Sequence, residues 1–214
     1  MTAVFLDLDG TLVDSKPGIV EALHFAFHDT GHGHLTETDL TWLIGPTFHE
    51  SFAKLGIERI DQVIDSYRIH YEREAMYRAT VYEGVADALV RLKNSGNRLY
   101  LATAKPHVAA RKITAHFGLS DHLVQEFGPE LDGTRNWKGD LLAYALDLTG
   151  EDPEHAVMIG DRHHDMAAAE EVGMASIAAA WGYGAEGEWS TARHIATHPQ
   201  EMPDLVGKVL SGDQ

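Results

Sequence analysis

The chain has 214 residues, of which 44% are apolar, and it contains no cysteine. This length allows one substantial core with a modest insertion, and the lack of cysteine excludes disulfides and thiolate chemistry. The formal net charge of -16 argues against nucleic acid or an anionic membrane as a partner. Since no apolar run could cross a bilayer and no basic leader precedes Asp7, we expect no signal peptide and a cytoplasmic protein.

Five short apolar segments have the length and flanking residues of buried β-strands: residues 3–6, 98–103, 156–160, 175–180 and 194–197. Helical periodicity separates them from about residue 82 onward, with Gly96 ending one helix and Pro106 opening the next. Strands that alternate with helices are typical of a parallel sheet. The sequence therefore predicts an α/β fold with a doubly wound, Rossmann-like parallel sheet.

Residues 15–81 differ from the rest because their pattern is helical, with few strand signals. Glycine and proline divide this stretch into several short helices. We therefore expect a small, all-helical cap domain at 15–81, inserted into a core domain formed by 1–14 and 82–214. Two chain crossings of this kind would make a natural hinge for a lid.

The first candidate for chemistry is Asp7-Leu8-Asp9-Gly10-Thr11, directly after the first predicted strand. Strand alternation would orient Asp7 and Asp9 alike, at the strand end where parallel sheets bind ligands. Two neighbouring carboxylates repel unless a cation or a proton lies between them. A single aspartate after a strand is usually a turn residue. The longer string, which continues to Asp14-Ser15, favours a functional role.

A second acidic pair, Asp161 and Asp165, follows the strand predicted at 156–160. Asp161 should emerge at the same sheet edge as Asp7, and a four-residue spacing lets both acids turn toward one centre on a helix. Magnesium takes oxygen ligands of this type, usually one or two carboxylates with water and substrate oxygens. The alternative is that Asp161 only caps the following helix.

Thr103 and Lys138 complete the set of candidates. Thr103-Ala104-Lys105-Pro106 ends the strand predicted at 98–103 and leads into a helix, and hydroxyl and amide groups at such a place bind phosphate. Lys138 precedes another helix and would offset the negative charge of Asp7 and of a phosphate. By itself, Lys138 would be assigned to the solvated surface.

Taken in order, these motifs resemble the haloacid dehalogenase (HAD) superfamily across nearly the whole chain. The strings Asp7-Leu8-Asp9-Gly10-Thr11 and Gly160-Asp161-x-x-x-Asp165 are specific, whereas Thr103 and Lys138 are specific only through their order and context. The helical insertion is similar to the C1-type caps of the family. Residues 103–106 and Trp181-Gly182-Tyr183-Gly184 look like its phosphoglycolate phosphatase-like branch.

The resemblance implies a role for each matching residue. Asp7 would attack phosphorus, and Asp9 would protonate the leaving oxygen and then activate water. Mg²⁺ would be bound by the Asp7 carboxylate, the Asp9 backbone carbonyl and Asp161, with support from Asp165. The phosphate and substrate would be held by Gly10, Thr11, Thr103, Ala104, Lys105 and Lys138.

The predicted function is a magnesium-dependent phosphatase for small-molecule phosphate monoesters, such as phosphoglycolate, nucleoside 5′-monophosphates or a sugar phosphate; pyrophosphate is also possible. The alternatives are a phosphosugar mutase of the β-phosphoglucomutase type and a non-catalytic binding module on the same fold. The sequence is compatible with either a monomer or a homodimer.

Two groups of histidines have a less specific pattern. An exposed helix face is the simplest interpretation of His24, His28 and His32, and His163 and His164 either assist the site or face solvent.

Overall fold

A computed structural model describes residues 2–211, which form two compact units, one made of 2–13 and 81–211 and the other of 14–80. The second unit nearly coincides with the predicted insertion at 15–81, and its role as a cap is a proposal. Two-residue strands pair where the chain passes between the units. Within residues 2–211, none of the helices combines the length and the apolar composition that a membrane span requires.

The strands of the described residues are, in chain order, β1 (Ala3–Leu6), β2 (Val13–Asp14), β3 (Thr80–Val81), β4 (Arg98–Ala102), β5 (Gln125–Phe127), β6 (Ala156–Gly160), β7 (Ala175–Ala179) and β8 (His194–Ala196). Six of them form a parallel sheet in the order β5-β4-β1-β6-β7-β8, and β2 pairs with β3. This sheet confirms the predicted fold class, and the five predicted strands are all present.

The α-helices of the helical unit are α1 (Lys16–Asp29), α2 (Phe48–Lys54) and α3 (Ile60–His70). Those of the sheet unit are α4 (Val85–Asn94), α5 (His107–His116), α6 (Lys138–Thr149), α7 (His163–Glu171) and α8 (Met202–Ser211). Each of α5, α6 and α7 connects two parallel strands, as a doubly wound sheet requires.

Alternating side chains of the strands build the core of the sheet unit. Phe5, Tyr100 and Met158 lie on three adjacent strands and join one buried cluster with Leu142 of α6. The rings of Phe5 and Tyr100 stack with their centroids 5.0 Å apart. Because neighbouring residues of a strand face opposite sides, the buried residue Val4 points to the other face of the sheet. Burial on both faces explains why these strands read as continuous apolar runs.

The helical unit has a core of its own. Helices α1 and α3 pack together, and Phe27 and Phe52 are fully buried with their rings in edge-to-face contact at 5.6 Å. Phe48 stacks on Phe52 at 5.0 Å and meets Tyr67 edge-on at 4.7 Å. Aromatic pairs at these distances add to the free energy of area burial, so this small unit has a specifically packed interior.

Strand β5 was not predicted from the sequence. It has only three residues, and Gln125 and Glu126 give it no apolar run. It lies at the edge of the sheet beside β4, where solvent is available on one side and an apolar run is not needed. An edge strand this short carries no periodic signal.

The order of the strands fixes where a ligand can bind. From β1 the chain builds the sheet outward through β4 and β5, and it then returns to the other side of β1 for β6, β7 and β8. The direction of winding therefore reverses between β1 and β6. In open parallel sheets, the crevice at such a switch point, beyond the carboxyl ends of the strands, is the usual binding site.

A polar cluster lies at the amino-terminal end of β4, where Arg98 begins the strand, and it gives a prediction about stability. Glu151 is bound by the Arg98 guanidinium and by the Tyr100 hydroxyl. The hydrogen bond from Arg98 lowers the pKa of Glu151 below its ordinary value of 4.5, in spite of partial burial. A carboxyl with a lowered pKa in the folded state stabilises the protein above its unfolded pKa, and this contribution is lost as the pH falls through the folded pKa.

We expect Glu151→Gln to reduce the free energy of unfolding at pH 7 by about 1 kcal/mol, because Arg98 is partly exposed and the ion pair is partly screened. The difference from the natural protein should shrink as the pH falls below 4.5. Urea unfolding at several pH values measures both effects. A difference that is independent of pH would contradict this account of the cluster.

Candidate active site

The parallel register brings three strand ends to the same level. Leu6 of β1 is paired with Leu101 of β4 and with Ile159 of β6. Asp7 therefore lies between the ends of two neighbouring strands, and its amide donates to the Ile159 carbonyl at 2.9 Å. Thr103 and Asp161 follow those neighbouring strands directly. The side chains predicted to be functional thus meet at one edge of the sheet, at the switch point.

Asp7, Asp161 and Asp165 form a buried acidic cluster. Each offers a carboxylate oxygen within 4.8 Å of the oxygens of the other two, and all three side chains are buried. Among the residues that the structure describes, these three acids are the side chains that lie close enough together to hold a metal ion. The predicted meeting of Asp7 with Asp161 and Asp165 is observed, and the Asp9 carboxylate is not part of this group of three.

The cluster is electrostatically unfavourable without a cation. Burial raises the pKa of the Asp7 carboxyl to about 6, although the charge of Lys138 opposes this shift. Burial, together with the charges of Asp165 and Asp7, raises the pKa of Asp161 well above its usual range. Buried carboxylates that repel each other gain most from a bound cation. The raised pKa values of Asp7 and Asp161 therefore indicate that the cluster needs positive charge, as the sequence predicted.

Lys138 supplies the one side-chain cation that touches the cluster within the described residues. It is the first residue of α6, it is 7% exposed, and its ammonium binds Asp7 Oδ1 at 2.8 Å and the Asp165 carboxylate. Burial alone would lower the pKa of Lys138, but the charges of Asp165 and Asp7 more than reverse this, so the amine stays protonated. One ammonium cannot neutralise three carboxylates, and the cluster keeps an excess of negative charge.

The Asp9 side chain has a separate partner. Its Oδ2 accepts a hydrogen bond from Lys105 Nζ at 2.8 Å, and both side chains are nearly buried. Lys105 was predicted to bind substrate, and that role stays a prediction; in the structure its ammonium contacts Asp9. The Asp9 carboxylate is thus held by a lysine other than the one that contacts Asp7 and Asp165.

The remaining predicted residues surround this centre. Thr103 is buried, and its hydroxyl oxygen accepts the Lys105 amide at 3.3 Å. The Thr11 hydroxyl, also buried, faces Asp161 Oδ1 at 3.4 Å. Ala104 lies partly exposed between Thr103 and Lys105. Their predicted roles toward phosphate stay predictions.

Gly10 is required by a close approach. Its φ of +85° lies in the left-handed region, and a Cβ there would come within 2.4 Å of Asp161 Oδ2. Asp161 does not cap the next helix, because α7 begins at His163 and the Asp165 carboxylate accepts the Arg162 amide at 3.0 Å. The capping alternative for Asp161 is therefore wrong, and the Asp165 carboxylate caps the start of α7 instead.

Sequence reasoning missed the contacts made by the segment after β7. The Tyr183 amide donates to Asp161 Oδ2 at 2.7 Å, and the Trp189 indole donates to the Asp161 carbonyl at 2.7 Å. The run Trp181-Gly182-Tyr183-Gly184 marks the resemblance to the phosphoglycolate phosphatase-like branch, but by itself it predicts no contact with Asp161. Nothing in the sequence pointed to Trp189, which contacts a backbone atom 28 residues away.

The histidines take no direct part in the acidic cluster. His163 Nδ1 lies 3.1 Å from Glu188 Oε2, and the ring of His164 lies 3.6 Å from that of His163. Burial and the neighbouring His163 lower the pKa of His164 to about 4, so its ring is neutral. Among the described residues, no metal-binding group includes His24, His28 or His32.

The donor set fits a hard divalent cation. Three buried carboxylates offer oxygen ligands only, which is what magnesium prefers and what a softer metal does not select. Asp7 and Asp161 have raised pKa values that a divalent cation would reverse. Because Lys138 and the Arg162 amide already bind Asp165, its carboxylate has less capacity for a metal than the other two.

The sequence profile of the haloacid dehalogenase-like hydrolases matches residues 4–179, which include every residue of this cluster. The chain therefore belongs to the haloacid dehalogenase-like hydrolase family. This membership confirms the family and the hydrolase class that the motifs predicted.

Named relatives extend over almost the whole chain. A 5′-nucleotidase of Pseudomonas aeruginosa is 37% identical over 201 residues, covering 91% of this chain and 89% of the relative. The tyrosine-protein kinase PtkA of Mycobacterium tuberculosis is 36% identical over 205 residues, covering 94% of this chain and 70% of PtkA. The crystal structure of a predicted phosphatase from Clostridium acetobutylicum has a TM-score of 0.88 and 31% identity, with 98% of each chain covered.

Lys138 gives a testable prediction at this site. Lys138→Met would leave the buried carboxylates of Asp7 and Asp165 without their shared cation, and we expect the free energy of unfolding without metal to fall by about 3 kcal/mol. Lys112→Met, at an exposed position of α5, is the matched control and should change little. Chemical unfolding in a chelator measures both variants, and equal stability of the two would contradict the assigned role of Lys138.

Proposed function

We propose that the protein is a divalent-metal-dependent phosphatase that hydrolyses small-molecule phosphate monoesters through a phosphorylated Asp7, with magnesium as the metal. The observation that carries this proposal is the buried cluster of Asp7, Asp161 and Asp165 around the Lys138 ammonium at the switch point of the sheet. Nucleoside 5′-monophosphates are the first substrates to test, because of the similarity to the Pseudomonas 5′-nucleotidase. Phosphoglycolate and sugar phosphates follow.

In the first step, an Asp7 carboxylate oxygen forms a bond to phosphorus and the bond from phosphorus to the ester oxygen breaks. Asp9, two residues along the chain, gives a proton to the departing oxygen, so an alcohol leaves. A carboxylate nucleophile divides one difficult displacement into two easier ones. Lys138, fixed against Asp7 at 2.8 Å, places positive charge beside the transferring group.

In the second step, water attacks the phosphorus of the Asp7 acyl phosphate, and Asp9 takes a proton from that water. The bond between Asp7 and phosphorus breaks, and inorganic phosphate leaves a regenerated carboxylate. The Lys105 ammonium, 2.8 Å from Asp9 Oδ2, holds this carboxylate in place for both proton transfers. A magnesium ion held by Asp7, the Asp9 backbone carbonyl and Asp161, with Asp165 in support, would supply further neutralisation of phosphoryl charge.

Replacing the two acids should separate the two steps. We expect Asp7→Asn to reduce phosphate release by at least about 1,000-fold, because it removes the nucleophile. Asp9→Asn should slow hydrolysis by about 100-fold or more. With an aryl phosphate, whose leaving group needs no proton, the Asp9→Asn chain should also accumulate phosphate on Asp7.

Phosphate release and intact-mass spectrometry measure these effects, and Asp140→Asn, at an exposed position of α6, is the matched control. Substantial turnover by Asp7→Asn would contradict the assignment of the nucleophile. A screen of metabolite monoesters with the natural protein identifies the substrate, and analysis of sugar phosphate isomers in the same reactions detects a mutase.

Removal of metal gives an independent test. Treatment with a chelator should abolish phosphate release, and added Mg²⁺ should restore it, because the excess negative charge at the acidic cluster otherwise repels an anionic substrate. Circular dichroism of the metal-free protein controls for unfolding. Full activity in excess chelator would contradict the metal requirement.

The similarity to PtkA supports a second candidate, phosphoryl transfer to a protein tyrosine. The chain matches 70% of the length of PtkA, so part of that protein has no counterpart in the alignment. Incubation with ATP, Mg²⁺ and a tyrosine peptide distinguishes the candidates: phosphotyrosine that forms in the natural protein and is lost in Asp7→Asn supports the kinase, whereas free phosphate alone supports the phosphatase.

A further inference from the structure

We infer that residues 181–189, here named the bracket loop, are a positioning element that fixes the Asp161 carboxylate for the divalent cation, with Trp189 as its anchor. The loop follows β7 and lies beyond residue 179, where the family match ends. The inference rests on the proposed function, because it concerns the same metal site. It is based on hydrogen bonds and close backbone approaches that restrain Asp161 from several directions.

The bracket loop holds both the side chain and the backbone of Asp161. The Tyr183 amide donates to Asp161 Oδ2 at 2.7 Å and orients the carboxylate. The Trp189 indole Nε1 donates to the Asp161 carbonyl oxygen at 2.7 Å and fixes the backbone. Trp189 is itself 8% exposed and packs with Met166 and Ala178. A buried and packed donor of this kind has little freedom to move, so its hydrogen bond restricts the motion of Asp161.

Glycines let the bracket loop approach closely enough to do this. A Cβ on Gly184 would lie 1.8 Å from the Asp161 carbonyl oxygen, and a Cβ on Gly182 would lie 2.4 Å from the Asp161 Cβ. From the other side, Gly10 is equally constrained by the Asp161 carboxylate. Asp161 therefore lies between two backbone segments that leave no room for a side chain. Gly187, in the same loop, has no such neighbour within 4 Å.

Glu188 ties the bracket loop to the residues that follow Asp161. Its Oε2 accepts Arg162 Nε at 3.0 Å and the His163 amide at 3.1 Å, and its Oε1 accepts the Ala185 amide at 3.3 Å. One carboxylate thus joins the loop to itself and to the first turn of α7. With the Trp189 and Tyr183 contacts, three neighbouring residues of the chain, 161–163, are fixed to the loop.

The charges of the site explain why the Asp161 side chain has to be restrained. Asp161 is repelled by Asp7 and Asp165, and Lys138 contacts those two acids rather than Asp161. Without restraint, the Asp161 side chain would relieve the repulsion by rotating away from the cluster. The bracket loop opposes that rotation before a cation arrives, so less free energy is lost in ordering the ligand when the metal binds.

Magnesium binding to the metal-free protein, measured by calorimetry, tests the inference. We expect Trp189→Phe and Gly184→Ala each to weaken Mg²⁺ binding by roughly 10-fold or more, as is usual when the support of a metal ligand is removed. Gly187→Ala is the matched glycine control, and Trp137→Phe is the indole control, since Trp137 is exposed and donates to Glu171. Both controls should bind Mg²⁺ as the natural protein does.

A second readout separates positioning from general damage. At saturating Mg²⁺, Trp189→Phe should recover most of its kcat while its requirement for Mg²⁺ stays raised, and urea unfolding should show that the fold is intact. Glu188→Gln, which removes charge without changing shape, should weaken Mg²⁺ binding in the same direction and serves if Trp189→Phe fails to fold.

The outcomes also separate this inference from the proposed function. If the natural protein binds Mg²⁺, Asp161→Asn does not, and the folded bracket-loop variants bind it as the natural protein does, the inference is overturned and the metal site stands. If the natural protein and Asp161→Asn bind Mg²⁺ equally, the assignment of Asp161 as a metal ligand fails, and the inference fails with it.

Discussion

The excess of buried negative charge beside Lys138 is the constraint on which the rest of the site depends. Asp7, Asp161 and Asp165 bring their oxygens within 4.8 Å of one another, and one ammonium offsets them. Such an arrangement is costly in the folded protein and is stable only if the surrounding structure enforces it. The sheet, the glycines and the bracket loop can each be understood as part of that enforcement.

The sheet contributes by its register. Because β1 lies between β4 and β6, with Leu6 level with Leu101 and Ile159, the residues that follow these strands have to meet. A slip of one residue would turn Asp7 to the opposite face and separate it from Asp161. The apolar residues that bury the strands therefore also determine the geometry of the carboxylates, and packing and chemistry are specified by the same segments.

The same reasoning explains how far the sequence could predict the structure. Buried parallel strands are largely apolar, so β1, β4 and β6 and the polar residues after them could be placed from local pattern alone. Strand β5 could not, because its polar residues lie at an edge. The pairing of Lys105 with Asp9 and the contact of Trp189 with Asp161 also escaped prediction. Both join distant segments through single atoms, and neither leaves a periodic trace in the sequence.

Two buried lysines supply part of the local positive charge that a chain with a formal charge of -16 needs to receive an anion. Lys138 contacts Asp7 and Asp165, and Lys105 contacts Asp9, so each acid with a proposed chemical role in the reaction has its own cation. The two ion pairs are distinct, so the carboxylates of Asp7 and Asp9 are held by different lysines. These two ammonium groups do not neutralise the four acids of the site, so a divalent cation would have to supply the remaining positive charge for a phosphate to bind.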